Sequence, residues 1–218
     1  MRELILVRHG QSLYNVGLSK DLDSDLTPEG RRQVRETGRF LAQHLGHIRG
    51  FIGRASPYLR CLQTARILAE ETGVEFWIED GPREIMTCYG ECYIPRRHVE
   101  FPEFVWDKYR RNAESAYKQE TVEEFNRRTK DYHDHLQSFE KVLVVSHGTT
   151  TTTLHKMSLN LYDGVPGVIK GSYVDNSSLS YTRGGSPVWF NKVVYGEGPK
   201  EEHQGAEVDG IGPIGVGF

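Results

Sequence analysis

The chain has 218 residues, 37% of them hydrophobic and 26% charged, a length that suits one domain of roughly 200 residues with a proper core. Its 27 lysines and arginines stand against 30 aspartates and glutamates, a net charge of -3, so nothing in the balance favours a nucleic-acid or membrane surface. No apolar run approaches the ~18 residues of a spanning helix, and no basic-then-apolar leader opens the chain, so a cytoplasmic protein is expected.

In chain order, residues 3–8 are an aliphatic run that predicts a buried strand, ending in Arg8-His9-Gly10. Thr27-Pro28-Glu29 reads as an N-cap, a first-turn proline and an acidic first turn, and Val34, Gly38, Leu41 and Leu45 recur at helical spacing, which predicts a helix over 28–45. Residues 51–53 are a short strand. Ser56-Pro57 opens a second helix that ends near Gly73, and 74–78 is a third strand. Residues 85–120 break the rhythm. They carry Tyr89, Tyr93, Phe101, Phe104, Trp106, Tyr109 and Tyr117 with Arg96-Arg97, and are read as a cap over the strand ends. Thr121 caps a helix with a stripe running to Phe139. Residues 141–146 are another buried strand, and a helix follows His147 to about Met157. Three late strands are expected at 168–174, 179–182 and 188–195, and the glycine-rich stretch 205–218 is expected to be a flexible tail. The alternation argues for an α/β class: a doubly wound, mostly parallel sheet with helices on both faces, all of 1–218 forming one catalytic domain.

In such a sheet ligands bind at the carboxyl ends of the strands. Two strands here end in a histidine followed by glycine: Val7-Arg8-His9-Gly10 and Val145-Ser146-His147-Gly148. An imidazole there can attack phosphorus while its partner helps hold the phosphoryl oxygens, and histidine is neutral enough near pH 7 to do so. Arg8 adds a fixed charge. Gln11, Ser12 and Asn15 follow Gly10 in a loop whose amides could meet an anion. Arg60, early in the second helix, can offer a planar fork to phosphate oxygens. Cys61, Cys88 and Cys92 are too sparse for a zinc site and read as free thiols.

Taken together, these elements resemble the histidine phosphatase superfamily, the phosphoglycerate mutase-like branch 1. Arg8-His9-Gly10, Leu26-Thr27-Pro28-Glu29-Gly30, Ser56-Pro57-Tyr58-Leu59-Arg60-Cys61-Leu62-Gln63-Thr64-Ala65 and Ser146-His147-Gly148 match its signature elements in order. The resemblance implies His9 as the phosphorylated nucleophile, with Arg8, Arg60 and His147 completing the phosphate pocket and Asn15 touching the transferred group. It implies amide contacts after Gly148 and a proton donor at Glu84, with Glu91 as the alternative. No metal or cofactor is implied. Arg96 and Arg97 are candidates for gripping an anionic substrate. The run from Arg83 to Gly90 lacks the Arg-His-Tyr-Gly stretch of the phosphoglycerate mutases, which favours a phosphomonoesterase of a small phosphorylated metabolite. Mutase-type transfer is the alternative, and a non-catalytic phospho-ligand-binding module a remoter one. The pattern is compatible with a homodimer through an edge strand or the cap.

Overall fold

Alternate residues of the first strand, β1 (Glu3–Arg8), feed two different cores. The computed structural model describes residues 3–85, 100–106, 120–162, 164 and 174–195. Ile5 and Val7 face one side of the sheet, and Leu4 and Leu6 face the other, as strand pleating requires. The other elements are α1 (Pro28–His44), β2 (Ile52–Ala55), α2 (Leu59–Thr72), β3 (Phe76–Ile78), α3 (Val122–Leu136), β4 (Lys141–Ser146), α4 (Gly148–Ser158), β5 (Leu179–Arg183) and β6 (Ser186–Lys192). The sheet order is β3-β2-β4-β1-β5-β6, with the first four strands parallel and β5 and β6 antiparallel. Val34 and Leu41 of α1 and Leu62 and Leu68 of α2 pack on the Ile5 side. Tyr132 and Leu136 of α3 and Leu154 of α4 pack on the Leu4 side. This is the α/β sheet, helices on both faces, that the alternation foretold.

Helix starts follow the sequence closely where the cap is local. Thr27 accepts the Gly30 N–H at the start of α1, and Thr121 and Glu124 form a reciprocal capping box on α3. The start of α2 departs from expectation. It begins at Leu59, after Ser56-Pro57, because the Leu59 N–H is taken at 2.6 Å by the Asp23 carboxylate from a distant loop. β2 runs two residues beyond the expected 51–53, following β4 as far as Ala55 opposite Val145. α3 ends three residues before Phe139, in a tight turn where the Phe139 N–H reaches the Leu136 carbonyl. β5 and β6 are joined by Gly184-Gly185, both at positive φ (59° and 77°), the conformation a two-residue hairpin demands. Residues 168–173 of the expected strand 168–174 lie outside the described residues, as do 205–218 and most of 85–120. Within that last stretch, Phe101, Phe104 and Trp106 are buried in the core beside β3, with Val105 bridging Trp77.

His155 on α4 is buried, stacked on Phe190 of β6 at 4.8 Å. Burial pushes it down from 6.5 to about 4. The folded ring is therefore neutral where the unfolded one binds a proton. Its stabilising effect is complete above pH 6.5 and lost as pH falls toward 4. Between pH 7.5 and 5 this one site is expected to cost about 2 kcal/mol. Urea unfolding at the two pH values checks it: His155→Phe should lose less stability than the wild type by that amount, and an unchanged pH slope would refute the assignment.

Candidate active site

Parallel pairing of β1 with β4 runs in register from Glu3 opposite Lys141 to Arg8 opposite Ser146. The residues that follow, His9 and His147, are thereby set side by side at the carboxyl ends, and the His9 N–H continues the ladder to the Ser146 carbonyl at 2.9 Å. Their ring centroids are 5.3 Å apart. The Ser177 N–H bonds the carbonyls of both Arg8 and His9, which pins the point where the strand gives way to the loop.

The protons on the two rings can be assigned from their partners. His9 Nδ1 lies 2.7 Å from the Gly10 carbonyl, which can only accept, so Nδ1 carries the hydrogen. His9 Nε2 accepts from Arg60 Nε at 3.1 Å and so presents its lone pair. His147 is the reverse. Its Nδ1 faces Arg60 Nη2 at 2.9 Å, and arginine only donates, so the hydrogen sits on Nε2 toward Ser56 Oγ at 2.9 Å. Burial, with Arg60 and then Arg8 nearby, pushes His9 well below its ordinary value. Burial, Arg60 and the neighbouring His9 do the same to His147. Both imidazoles are therefore neutral at physiological pH.

Arg60 joins the two rings. Its third arm donates to the Leu22 carbonyl, and the guanidinium lies over the Tyr58 ring, whose edge meets His147. Arg8 is half-buried, with Nη1 donating to the Val174 carbonyl at 2.5 Å and Nε making no hydrogen bond among the described residues. Burial lowers its pKa, opposed by the attraction of Glu84. The Glu84 carboxylate sits on the N-terminus of α4: Oε2 accepts the Thr149 N–H at 3.2 Å, and Oε1 lies 3.2 Å from the Thr150 hydroxyl, which donates at 2.8 Å to the Arg83 carbonyl. A helix N-terminus draws an anion, and here the side chain of Glu84 takes the amide that was expected, after Gly148, to meet phosphate.

Several donors of the first loop are engaged within the protein. The Gln11 N–H goes to Gln33 Oε1, and the Gln11 carboxamide oxygen accepts the Thr27 hydroxyl. Ser12 is fully buried, and both its N–H and its hydroxyl turn to Asn15 Oδ1, each at 3.0 Å. These donors are spent holding the loop, because buried polar groups left unpaired are costly. Close packing forces this economy. A Cβ on Gly30 would lie 2.0 Å from the Gln11 carbonyl oxygen, and one on Gly10 2.5 Å from that of Gly30, so α1 can lock against the loop only with glycine at both positions. α2 is stitched to the same loop by Thr64, which accepts the Gly10 N–H, and by Gln63, which accepts the Leu26 N–H.

The structure thus gathers Arg8, His9, Arg60, His147 and Glu84 around the ends of β1 and β4. Glu91, Arg96 and Arg97 lie outside the described residues. Sequence reasoning quoted Ser56, Tyr58 and Thr64 inside a motif but assigned them no task, although their place in that motif was the available signal. Asp23 had no signal at all. Cys61, expected as a free thiol, is one, and it is buried against His147. Among the described residues no helix is long and apolar enough to cross a membrane.

A model of the histidine phosphatase superfamily (branch 1) matches residues 4–189. A Hydrogenobacter thermophilus protein named "Putative phosphoserine phosphatase 2" is 32% identical over 160 residues, covering 69% of this chain and 75% of the relative. A 2,3-bisphosphoglycerate-dependent phosphoglycerate mutase of Thermobifida fusca is 40% identical over 80 residues, 36% of this chain and 31% of the relative. Among solved structures, a mycobacterial glucosyl-3-phosphoglycerate phosphatase with VO3 aligns at a TM-score of 0.57 and 21% identity, over 83% of this chain and 90% of that one, a likeness of fold.

Proposed function

Because the chain belongs to the histidine phosphatase superfamily, branch 1, we propose that it is a phosphomonoesterase acting on a small phosphorylated metabolite through a phosphohistidine on His9. The observation that carries this is the state of His9: buried, neutral, and locked by Nδ1–H to the Gly10 carbonyl, so that the Nε2 lone pair is turned toward Arg60 and His147. An arriving phosphate draws the Arg60 guanidinium off the two imidazoles and onto its own oxygens, beside Arg8. The oxygen that replaces Arg60 at His147 Nδ1 shares a proton with it, brought by the monoester or taken from solvent.

Nε2 then attacks phosphorus as the ester P–O bond breaks. Glu84, which takes up a proton from solvent as substrate binds, passes it to the leaving oxygen, and the Nδ1–H bond to Gly10 steadies the charge that grows on the ring. Water, deprotonated by Glu84, attacks the phosphohistidine. The P–N bond breaks, phosphate departs and His9 returns to its neutral form. The guanidinium groups supply the fixed positive charge, so turnover should persist in excess chelator.

The phosphatase relative aligns over 69% of this chain and the mutase over 36%. With the absent Arg-His-Tyr-Gly stretch, this favours hydrolysis over mutase-type transfer. The test is phosphate release from a panel of phosphorylated metabolites in excess chelator, with His9→Ala as control. The panel includes 3-phosphoglycerate primed with a bisphosphoglycerate, in which 2-phosphoglycerate is followed. Release dependent on His9 supports the reading, whereas interconversion without release would replace it with the mutase.

Glu84→Gln should separate substrates by leaving group. An alkyl phosphate needs its departing oxygen protonated and should slow by about 10²-fold. p-Nitrophenyl phosphate, whose leaving group departs as the phenolate, should slow by less than about tenfold. Equal losses on both would move the proton donor to Glu91 or leave Glu84 a purely structural role.

A further inference from the structure

His147 is held on two edges, and the edges behave differently when phosphate arrives. On one, Arg60 Nη2 donates to Nδ1 at 2.9 Å, a contact that phosphate displaces. On the other, the Nε2–H points to Ser56 Oγ at 2.9 Å, with Cys61 Sγ behind it at 3.4 Å. The Cys61 thiol runs on to the Ser146 carbonyl at 3.6 Å. Arginine at one end only donates and a carbonyl at the other only accepts, so the direction of the chain is set at both ends. Ser56, Cys61 and His147 are all buried, so these contacts are shielded from bulk solvent. The Tyr58 and His9 rings flank the imidazole, with centroids 5.0 and 5.3 Å from it.

We infer that Ser56 is a positioning residue: its hydroxyl, backed by Cys61, holds the His147 ring with Nε2–H turned inward and the Nδ1 edge turned to the phosphate, before and after Arg60 leaves. The inference rests on the phosphate chemistry proposed above, but its structural half can be read without it. Without the hydroxyl the ring keeps a buried N–H facing only a weak sulfur acceptor and is free to turn once Arg60 moves.

The test uses the full chain with ¹⁵N-labelled histidine, and inorganic phosphate as the ligand. The resting wild type should show a slowly exchanging, downfield proton on His147 Nε2. In Ser56→Ala that proton should exchange at least about tenfold faster, and the Kd for phosphate should rise about tenfold or more. Ser56→Thr should restore both to within about threefold, and a thermal melt of each variant reports on folding. Cys61→Ala, which leaves the hydroxyl in place, should change the Kd by less than about threefold. An unchanged Nε2 proton in Ser56→Ala, or an affinity within about threefold of wild type, would overturn the inference. Failure of the wild type to bind phosphate would instead sink the functional reading, and the imidazole proton would still decide the role of Ser56.

Discussion

His9→Ala is expected to lower phosphate release by at least about 10⁴-fold, the largest effect of any single substitution here. Loss of a nucleophile differs from loss of a helper. The remaining cations still bind and polarise the ester, but no covalent route remains, and for direct hydrolysis Glu84 would have to serve the leaving oxygen and an attacking water on opposite faces at once. The chain should still fold, since His9 lies just beyond β1 and its backbone bonds to Ser146 and Ser177 do not involve the side chain. The measurement has two arms. Steady-state release gives the loss. Rapid quenching into alkali, where phosphohistidine survives, should trap label on wild type and none on the variant. Retention of more than about 1% of wild-type turnover by His9→Ala would refute the assignment of His9.

Arg60 is the second large effect, and its signature is a pH shift as well as a loss. Arg60→Ala removes a side chain that touches both imidazoles, and a fall in kcat/KM of about 10²–10³-fold is expected. Arg60→Lys should recover little of this. An ammonium on a flexible stem cannot offer a planar fork to the phosphate oxygens while also reaching the Leu22 carbonyl. The charge of Arg60 is also a leading cause, after burial, of the depression of both histidines. Without it their pKa values rise. The free enzyme then needs a higher pH to keep His9 neutral, so the acidic limb of the kcat/KM profile should move toward neutrality. A lower rate with an unmoved acidic limb would mean that Arg60 binds substrate without tuning the nucleophile.

Some parts of this fold were written locally. The aliphatic runs of β1 and β4 need no partner to be recognised, because burial on both faces leaves no polar alternation. α1 and α3 were readable because their caps, Thr27 and Thr121, lie within three residues of the N–H groups they satisfy. The start of α2 was misplaced because its cap, Asp23, comes from another loop, 36 residues earlier. Phe101, Phe104 and Trp106 were read into a cap because an aromatic cluster looks the same in sequence whether it covers a ligand or fills a core. Their contact with β3 settles it for these three.

The same division runs through the site. Residue types decide what chemistry is possible: imidazoles that can be phosphorylated, guanidinium groups that can only donate, a carboxylate that can carry a proton. Four of the five stood in the sequence at strand ends or a helix start, where a sheet of this class presents its ligands, and Glu84 stood in the loop after the third strand. Where each proton sits is another matter. The tautomer of His9 is set by the Gly10 carbonyl beside it and by Arg60, 51 residues away, and that of His147 by Arg60 and by Ser56, 91 residues away. Glu84 holds the N-terminus of α4 across 65 residues of chain. Chemical type is a property of a residue and survives in a string of letters. The protonation state and direction of a side chain belong to its neighbours, and those exist only once distant segments have packed together.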